Sequence, residues 1–246
     1  MWIKCLTCEA LARPVYYSAA LSPLSVDVHL LRRGLHNQPG GLRRTLQEAI
    51  DACEGGPYQA VALANGLCGK AIAGLQARSI PLVIPRAHDC ITLFLGSRAR
   101  YQQEFERCPG TYWYVPDYIE RNDGSNGALS LGSGIDADLE AEYEGYVQKF
   151  GKDNADYLMQ VMGAWQKHYQ RAVFIDLGIG GAPDGEEKAQ AEATRRGWAV
   201  ERLQGDLVLV RRLLNGDWEQ DFLVVQPGQT VQMTLDDGII SASQET

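Results

Sequence analysis

Apolar positions along this chain follow two periods, and the switches between them mark out its elements. WIKCLTC (2–8), VDVHLL (26–31), AVALAN (60–65), PLVIPR (81–86), AVFIDLGIGG (172–181), WAVERL (198–203) and DFLVV (221–225) are short apolar runs that read as strands, the fifth feeding a Gly-rich turn. PLVIPR is almost continuously apolar, the signature of a strand covered on both faces. GLRRTLQEAIDAC (41–53) instead places Leu42, Leu46, Ala49, Ile50 and Cys53 at helical spacing, so one face is apolar. EALARPVYYSAAL (9–21) reads as a helix, or a helix broken at Pro14. A helical pattern follows GLCG to about Ala77, and CITLFLGSRARYQQEFERC (90–108) continues as helix. LEAEYEGYVQKFG (139–151), NADYLMQVMGAWQKHYQR (154–171) and EEKAQAEATRRG (186–197) are helical, with Asp153 or Asn154 capping the second. LVLVRRLL (207–214) is ambiguous between helix and strand.

The rhythm of strand, turn and helix predicts an α/β fold, doubly wound, with a mostly parallel sheet and helices on both faces. Residues 1–121 form an N-terminal α/β half carrying the cysteine motifs. NDGSNGALSLGSGIDAD (122–138) is rich in Gly, Ser, Asn and Asp and reads as a flexible loop or lid. Residues 139–235 form a C-terminal α/β half on the same or an adjoining sheet, and 236–246 a tail.

At 246 residues, 45% of them hydrophobic and 22% charged, the chain is long enough to bury a large core. Its 31 acidic against 23 basic residues give a net charge of −8, which argues against nucleic acid or an anionic membrane as partner. The N-terminus lacks a secretory apolar core and no run reaches the roughly 18 apolar residues of a spanning helix. A cytoplasmic protein acting on a small-molecule substrate is expected. In that compartment the six cysteines stay reduced, so each thiol needs its own explanation.

Ligands of open parallel sheets bind outside the carboxyl ends of the strands, where helix N-termini converge. Cys8 after the first strand, Cys68 in NGLCGKA and Cys90 in PRAHDC all fall there. Three thiolates held on one rim suit zinc or an iron-sulfur cluster with an open coordination position, and the sequence does not choose between them. Gly66 and Gly69, in the same turn as Cys68, are expected to bind the cofactor. His88 is either a further ligand or the residue that orients Asp89 or a substrate. Arg86 is an anion clamp because its planar fork matches carboxylate or phosphate, and Glu9 is a proton shuttle or a first-turn cap. Cys5, Cys53 and Cys108 read as packing residues, and CLTC (5–8) has redox spacing without a second CxxC. His36 lies in a polar loop before a helix. The turn at 178–181 resembles an anion cradle, but Pro183 replaces the last glycine of the dinucleotide fingerprint, so NAD is not expected. Tyr112 and Trp113 either wall a cofactor pocket or belong to the core.

CEALAR (8–13), GLCG (66–69), IPRAHDCITLFLGS (84–97), PGTYWY (109–114), GKDNADYLMQVMGAWQKHY (151–169) and DLVLVRRLLNGDW (206–218) together resemble an uncharacterised domain-of-unknown-function family of bacteria and methanogenic archaea. The resemblance covers nearly the whole chain. It implies an association with corrinoid-dependent methyltransferase systems, and it favours Cys8, Cys68 and Cys90, which lie inside the family-like motifs. The His-x-Cys of AHDC is similar to part of the zinc site in cobalamin-linked thiol methyltransferases. Three cysteines on separate βα turns also resemble the arrangement in quinolinate synthase. The expectation is a metal-binding methyltransferase or accessory enzyme of corrinoid-linked one-carbon metabolism. Two alternatives stand beside it: a non-catalytic accessory protein that binds a corrinoid or a methyltransferase partner, and a thiol enzyme with Cys90 as nucleophile and His88 as base.

Overall fold

A run such as AVALA offers water no polar side chain, so it is stable only where both its faces are covered. In the computed structural model, which describes residues 1–32, 35, 39–68, 70–121, 147, 152, 169–181, 184–234 and 238–244, this run is strand β3 (Ala60–Ala64), buried at every position. It is the central strand of a five-stranded sheet. β1 (Trp2–Cys8) runs parallel to β3 on one side and to β2 (Ser25–Leu31) on the other, with Cys5 opposite both Ala62 and Val28. Beyond β3, β4 (Leu82–Pro85) is also parallel, and the last strand, β8 (Phe222–Val225), pairs antiparallel to it with Ile84 opposite Leu223.

Helices cover both faces. On one, α2 (Pro39–Asp51) sets Leu42, Leu46 and Ile50, each four residues on, against Leu6, Val61, Leu63, Leu82 and Ile84. Burial of each such side chain contributes about 1.5–3 kcal/mol. On the other face lie α1 (Ala12–Leu21), which packs on β1, and α7 (Val208–Asn215), which packs on β3, β4 and α1. The expected α/β architecture with a mostly parallel sheet is therefore present.

Local departures have local causes. Pro14 does not break its helix, because it sits in the first turn of α1, where its missing N–H has no intrahelical acceptor to satisfy. A single 3-10 turn, Glu9–Leu11, precedes it. The 90–108 segment is two helices, α3 (Cys90–Leu95) and α4 (Arg98–Arg107), separated at Gly96 with φ +72°. A Cβ at Gly96 would lie 2.6 Å from that of Asp206, so close packing as well as the turn requires glycine there. The ambiguous 207–214 run is helix α7: Leu209 and Leu213, and Val210 and Leu214, are buried four apart, while Arg212 is paired with Asp217 and Asp221.

The helix expected after GLCG does not form. Residues 70–74 make turns, with Lys70 and Gly74 in the left-handed region at φ +75° and +88°. Side chains of α2 hold this segment: Arg43 donates to the carbonyls of Lys70 (2.9 Å) and Ala71 (3.3 Å), and Gln47 accepts from the N–H of Gln76 at 2.9 Å. Nor is the C-terminus a tail. β9 (Gln229–Met233) and β10 (Ile240–Gln244) form an antiparallel hairpin that buries Ile239 and Ile240.

The chain divides into two compact units that interleave rather than follow one another as consecutive halves. The first comprises 1–101, 177–179 and 204–246, and the second 102–176 and 180–203. In the second, β5 (Thr111–Tyr114), β6 (Arg171–Asp176) and β7 (Ala199–Gln204) form their own sheet, with β5 parallel to β6. α5 (Pro116–Glu120) and α6 (Gly185–Arg196) complete it. Tyr112 belongs to this core with Tyr114, Phe174 and Ala193, and its ring contacts Tyr169 and Trp198. Trp113 lies under the guanidinium of Arg171. The loop or lid expected at 122–138, most of the helices expected over 139–151 and 154–171, His36, Gly69 and Pro183 lie outside the described residues; Arg171, read as the end of the second helix, instead opens β6. Among the described residues no helix is long and apolar enough to cross a membrane.

Candidate functional site

The carboxyl ends of β1, β3 and β4 are neighbours in the sheet, and a set of small constraints pulls the turns that follow them together. Thr7 donates its hydroxyl to the Ala64 carbonyl at 3.0 Å, and the Cys8 N–H donates to Oδ1 of buried Asn65 at 3.1 Å. The end of β1 is thereby fastened to the end of β3. The next turn meets the one after β4: the Leu67 N–H donates to the Ala87 carbonyl at 2.9 Å. Gly66 lies so close to the Asp89 backbone that a Cβ there would be 2.5 Å from two of its atoms. Glycine is required for that approach.

Cys68 and Cys90 meet across this contact. Cys68 adopts φ +43°, a left-handed conformation that costs a non-glycine residue about 1–2 kcal/mol. Cys90 is the first residue of α3 and is buried, 8% exposed. Hydrogen bonding with Cys90 is the main cause that holds the Cys68 proton well above the usual thiol range, and hydrogen bonding with Cys68 the main cause that draws the Cys90 thiol below it. Burial adds to the rise at Cys68 and opposes the fall at Cys90. The Gly66 backbone also favours the Cys90 thiolate. Cys8 is near enough for its charge to act on Cys68, but its own sulfur accepts the Ala10 N–H at 3.5 Å and caps the 3-10 turn. The three cysteines thus lie on neighbouring turns, all as free thiols. Among the described residues no group of three His, Cys, Asp or Glu side chains is already set to hold a metal ion.

Asp89 anchors the Cys90 end. One carboxylate oxygen caps α3 by accepting the Ile91 N–H at 2.9 Å, and the other accepts the Tyr101 hydroxyl at 2.8 Å. Burial raises the Asp89 carboxyl above its usual range against the pull of the Tyr101 bond. His88 is exposed, and its charge acts on Asp89. Arg86 donates from Nη1 to the Gly238 carbonyl at 2.7 Å and to that of Ile240, so it fastens the C-terminal hairpin to the end of β4. Glu9 opens the 3-10 turn beside Cys8 and is half-buried. Gly66 lies at the centre of the site.

The other thiols lie elsewhere. Cys5 is sealed in the core, where burial pushes its thiol up to about 12, and Cys53 donates to the Ala49 carbonyl at 3.2 Å below α2. Cys108 lines a concavity of about 530 Å³ in the second unit with Phe105, Arg107 and Tyr169. The turn at 178–181 leads into a helix that opens with Asp184, Glu186 and Glu187, and their charges oppose an anion. Asn65, Arg43, Gln47 and Tyr101 were not apparent as site residues in the sequence. A polar residue directly after an all-apolar strand was the only sign of Asn65, and the other three act across segments with no shared pattern.

The fold and its thiol rim define an α/β protein with free cysteines at or just after the carboxyl ends of three adjacent parallel strands. Within that class, the chain belongs to the family described as Protein of unknown function (DUF1638), whose model matches residues 30–214. The match includes Cys68 and Cys90, while Cys8 precedes it. No curated protein matches the chain, and no solved structure does.

Proposed function

We propose that Cys8, Cys68 and Cys90 form a thiolate site for zinc or an iron-sulfur cluster, with one coordination position left to a small-molecule substrate. The observation that carries this reading is the close approach of the turns that bear Cys68 and Cys90, where Gly66 abuts the Asp89 backbone and the Leu67 N–H meets the Ala87 carbonyl, with Cys8 fastened to Asn65 beside them. Thiolates, not thiols, bind these metals, and Cys90 already favours that form. A metal would take the place of the proton shared by Cys68 and Cys90. The third ligand requires Cys8 to turn its sulfur away from the Ala10 N–H, a side-chain rotation at a strand end. Zinc would hold a substrate thiol as a thiolate for methyl transfer, and a cluster would offer an open iron as Lewis acid. The reaction class is methyl transfer in corrinoid-linked one-carbon chemistry, or an accessory step of it with a corrinoid protein as partner. Glu9 stands beside Cys8 as a proton carrier, and His88 supplies an exposed imidazole at the mouth.

Elemental analysis of anaerobically purified protein tests the reading. One equivalent of zinc in a colourless sample, or iron with visible charge-transfer absorption, supports it when Cys68→Ser and Cys90→Ser abolish the metal. Metal-free protein whose stability is unchanged after all three cysteines become alanine overturns it and leaves the non-catalytic accessory role. The depressed titration of Cys90 favours a second reading, a thiol enzyme with Cys90 as nucleophile. That reading requires metal-free protein in which stoichiometric alkylation of Cys90 alone blocks methyl or acyl transfer.

A further inference from the structure

We propose that the outer edge of β2 is the seam of a symmetric dimer, in which two copies of this chain pair antiparallel through Ser25–Leu31 and join their five-stranded sheets into one continuous sheet. β2 pairs with β1 on one side, and among the described residues no strand pairs with its other side. The Ser25 N–H donates to the Met1 carbonyl at 3.1 Å, so Ser25, Asp27, His29 and Leu31 turn their backbone groups toward β1. Alternation sends the N–H and C=O of Val26, Val28 and Leu30 outward, where they meet no backbone partner among the described residues. Such a row is a template for another strand, and proteins blunt it with proline, lysine, a bulge or a short strand. β2 uses none of these devices: its seven residues run in unbroken register with β1 and include neither proline nor lysine.

The side chains on this edge complement their own reverse. A two-fold axis at Val28 sets Val26 opposite Leu30 of the second copy, Asp27 opposite His29, and Val28 opposite itself. Val28 with its counterpart, and Val26 with Leu30, then form the hydrogen-bonded pairs and use every outward N–H and C=O. Asp27 and His29 fall in the alternate pairs, where side chains across two strands come closest. Oδ2 of Asp27 accepts from Lys4 at 2.9 Å and from Tyr58, while Oδ1 accepts no hydrogen bond among the described residues. His29 is exposed. The imidazole of each copy therefore meets the open carboxylate oxygen of the other. Moving the axis one residue either way sets Asp27 against Asp27, or His29 against His29, so charge selects the register. On the opposite face, where Val26, Val28 and Leu30 are half-buried, α1 packs against β2 and leaves Tyr16 and Tyr17 exposed at 50% and 47%, which flanks the seam with apolar surface. Antiparallel joining points the two β1 strands in opposite directions. The two cysteine rims then lie at opposite ends of the joined sheet, and the seam is independent of what those cysteines bind.

Sedimentation equilibrium of the full chain at micromolar concentration tests the seam. The expected mass is twice that of the chain. His29→Asp, at an exposed position, sets a carboxylate against Asp27 of the other copy and raises the dimer dissociation constant about tenfold or more, whereas His29→Lys keeps the attraction and stays within about threefold of the parent. Circular dichroism equal to that of the parent shows that both variants are folded. A mass of one chain at every concentration overturns the proposal and leaves the edge to a different protein. A dimer that His29→Asp does not loosen, or that His29→Lys loosens equally, overturns this seam and assigns the assembly to another surface.

Discussion

Gly66 shows how one residue sets the chemistry of the site. Its hydrogen is the only substituent that fits against the Asp89 backbone, and that contact places Cys68 beside Cys90. Gly66→Ala forces the two turns apart, and it is expected to lower unfolding stability by about 1–3 kcal/mol in denaturant titration. Asn65 acts by hydrogen bonding. Asn65→Ala leaves the Cys8 N–H without its acceptor at a cost of about 1–3 kcal/mol, whereas Asn65→Asp retains an acceptor and restores most of that loss in the same titration. The low titration of Cys90 depends first on the hydrogen bond from Cys68. In Cys68→Ala that donor is gone, so the profile of Cys90 alkylation rate against pH moves to higher pH than in the parent. An unmoved profile would mean that the bond does not stabilise the thiolate.

At the scale of elements, charge and packing join pieces that the sequence separates. Arg171 on β6, 4% exposed, donates to Thr111 on β5 at 2.9 Å and to Glu104 on α4 at 2.7 Å, and it also reaches Glu201 on β7 at 3.2 Å. Burial raises the Glu104 carboxyl, but the bond and charge of Arg171 outweigh it, and the net position is below the usual range. A carboxylate lowered by folding stabilises the protein above its unfolded titration and loses that contribution as the pH falls through its folded value. Glu104→Gln is thus expected to cost about 1–3 kcal/mol near neutral pH and to flatten the decline of stability in acid, as followed by urea unfolding across pH. The C-terminal hairpin is a second junction. The Val231 N–H donates to the Leu75 carbonyl and the Gly74 N–H to that of Val231, both at 2.8 Å, so the hairpin braces the turns that follow Cys68.

Over the whole molecule, the chain leaves its first unit after Tyr101, rejoins it briefly at Leu177–Ile179 and returns to it for the rest of its length with Gln204. The returning segment supplies α7 to one face of the main sheet and β8 to its edge. A fragment of residues 1–121, the N-terminal half expected from the sequence, lacks Leu223 and Val225, which pair with Ile84 and Leu82, and lacks Leu209 and Leu213 of α7. Its circular dichroism is expected to lack a cooperative thermal transition, because the exposed edge and face leave too little buried apolar area to offset chain entropy. A sharp transition in that fragment would mean that β1 to β4 with α1 and α2 are sufficient.

Much of this was legible before the fold was known, for a physical reason. Strands β1, β3 and β4 and helix α2 announce themselves because burial acts on each residue separately: an apolar run or an apolar stripe is a property of neighbours in sequence. Cys8, Cys68 and Cys90 could be placed on one rim because in a parallel sheet all strands end on the same side. The turns after Cys68 misled because Ala71, Ile72 and Leu75 are apolar at helical spacing, yet the backbone of that segment is claimed by Arg43, Gln47 and the hairpin. The run at 207–214 was undecided because its eight residues suit either period until the sheet presents a surface for one. By itself the sequence determined the fold class, the strands other than β5, β9 and β10, and the three thiols at strand ends, since local hydrophobic patterning and chain direction suffice for these. The tertiary structure alone decided which turns come together at Gly66, how Asp89 is held and where Arg86 points, because those depend on distances between segments that no local pattern encodes.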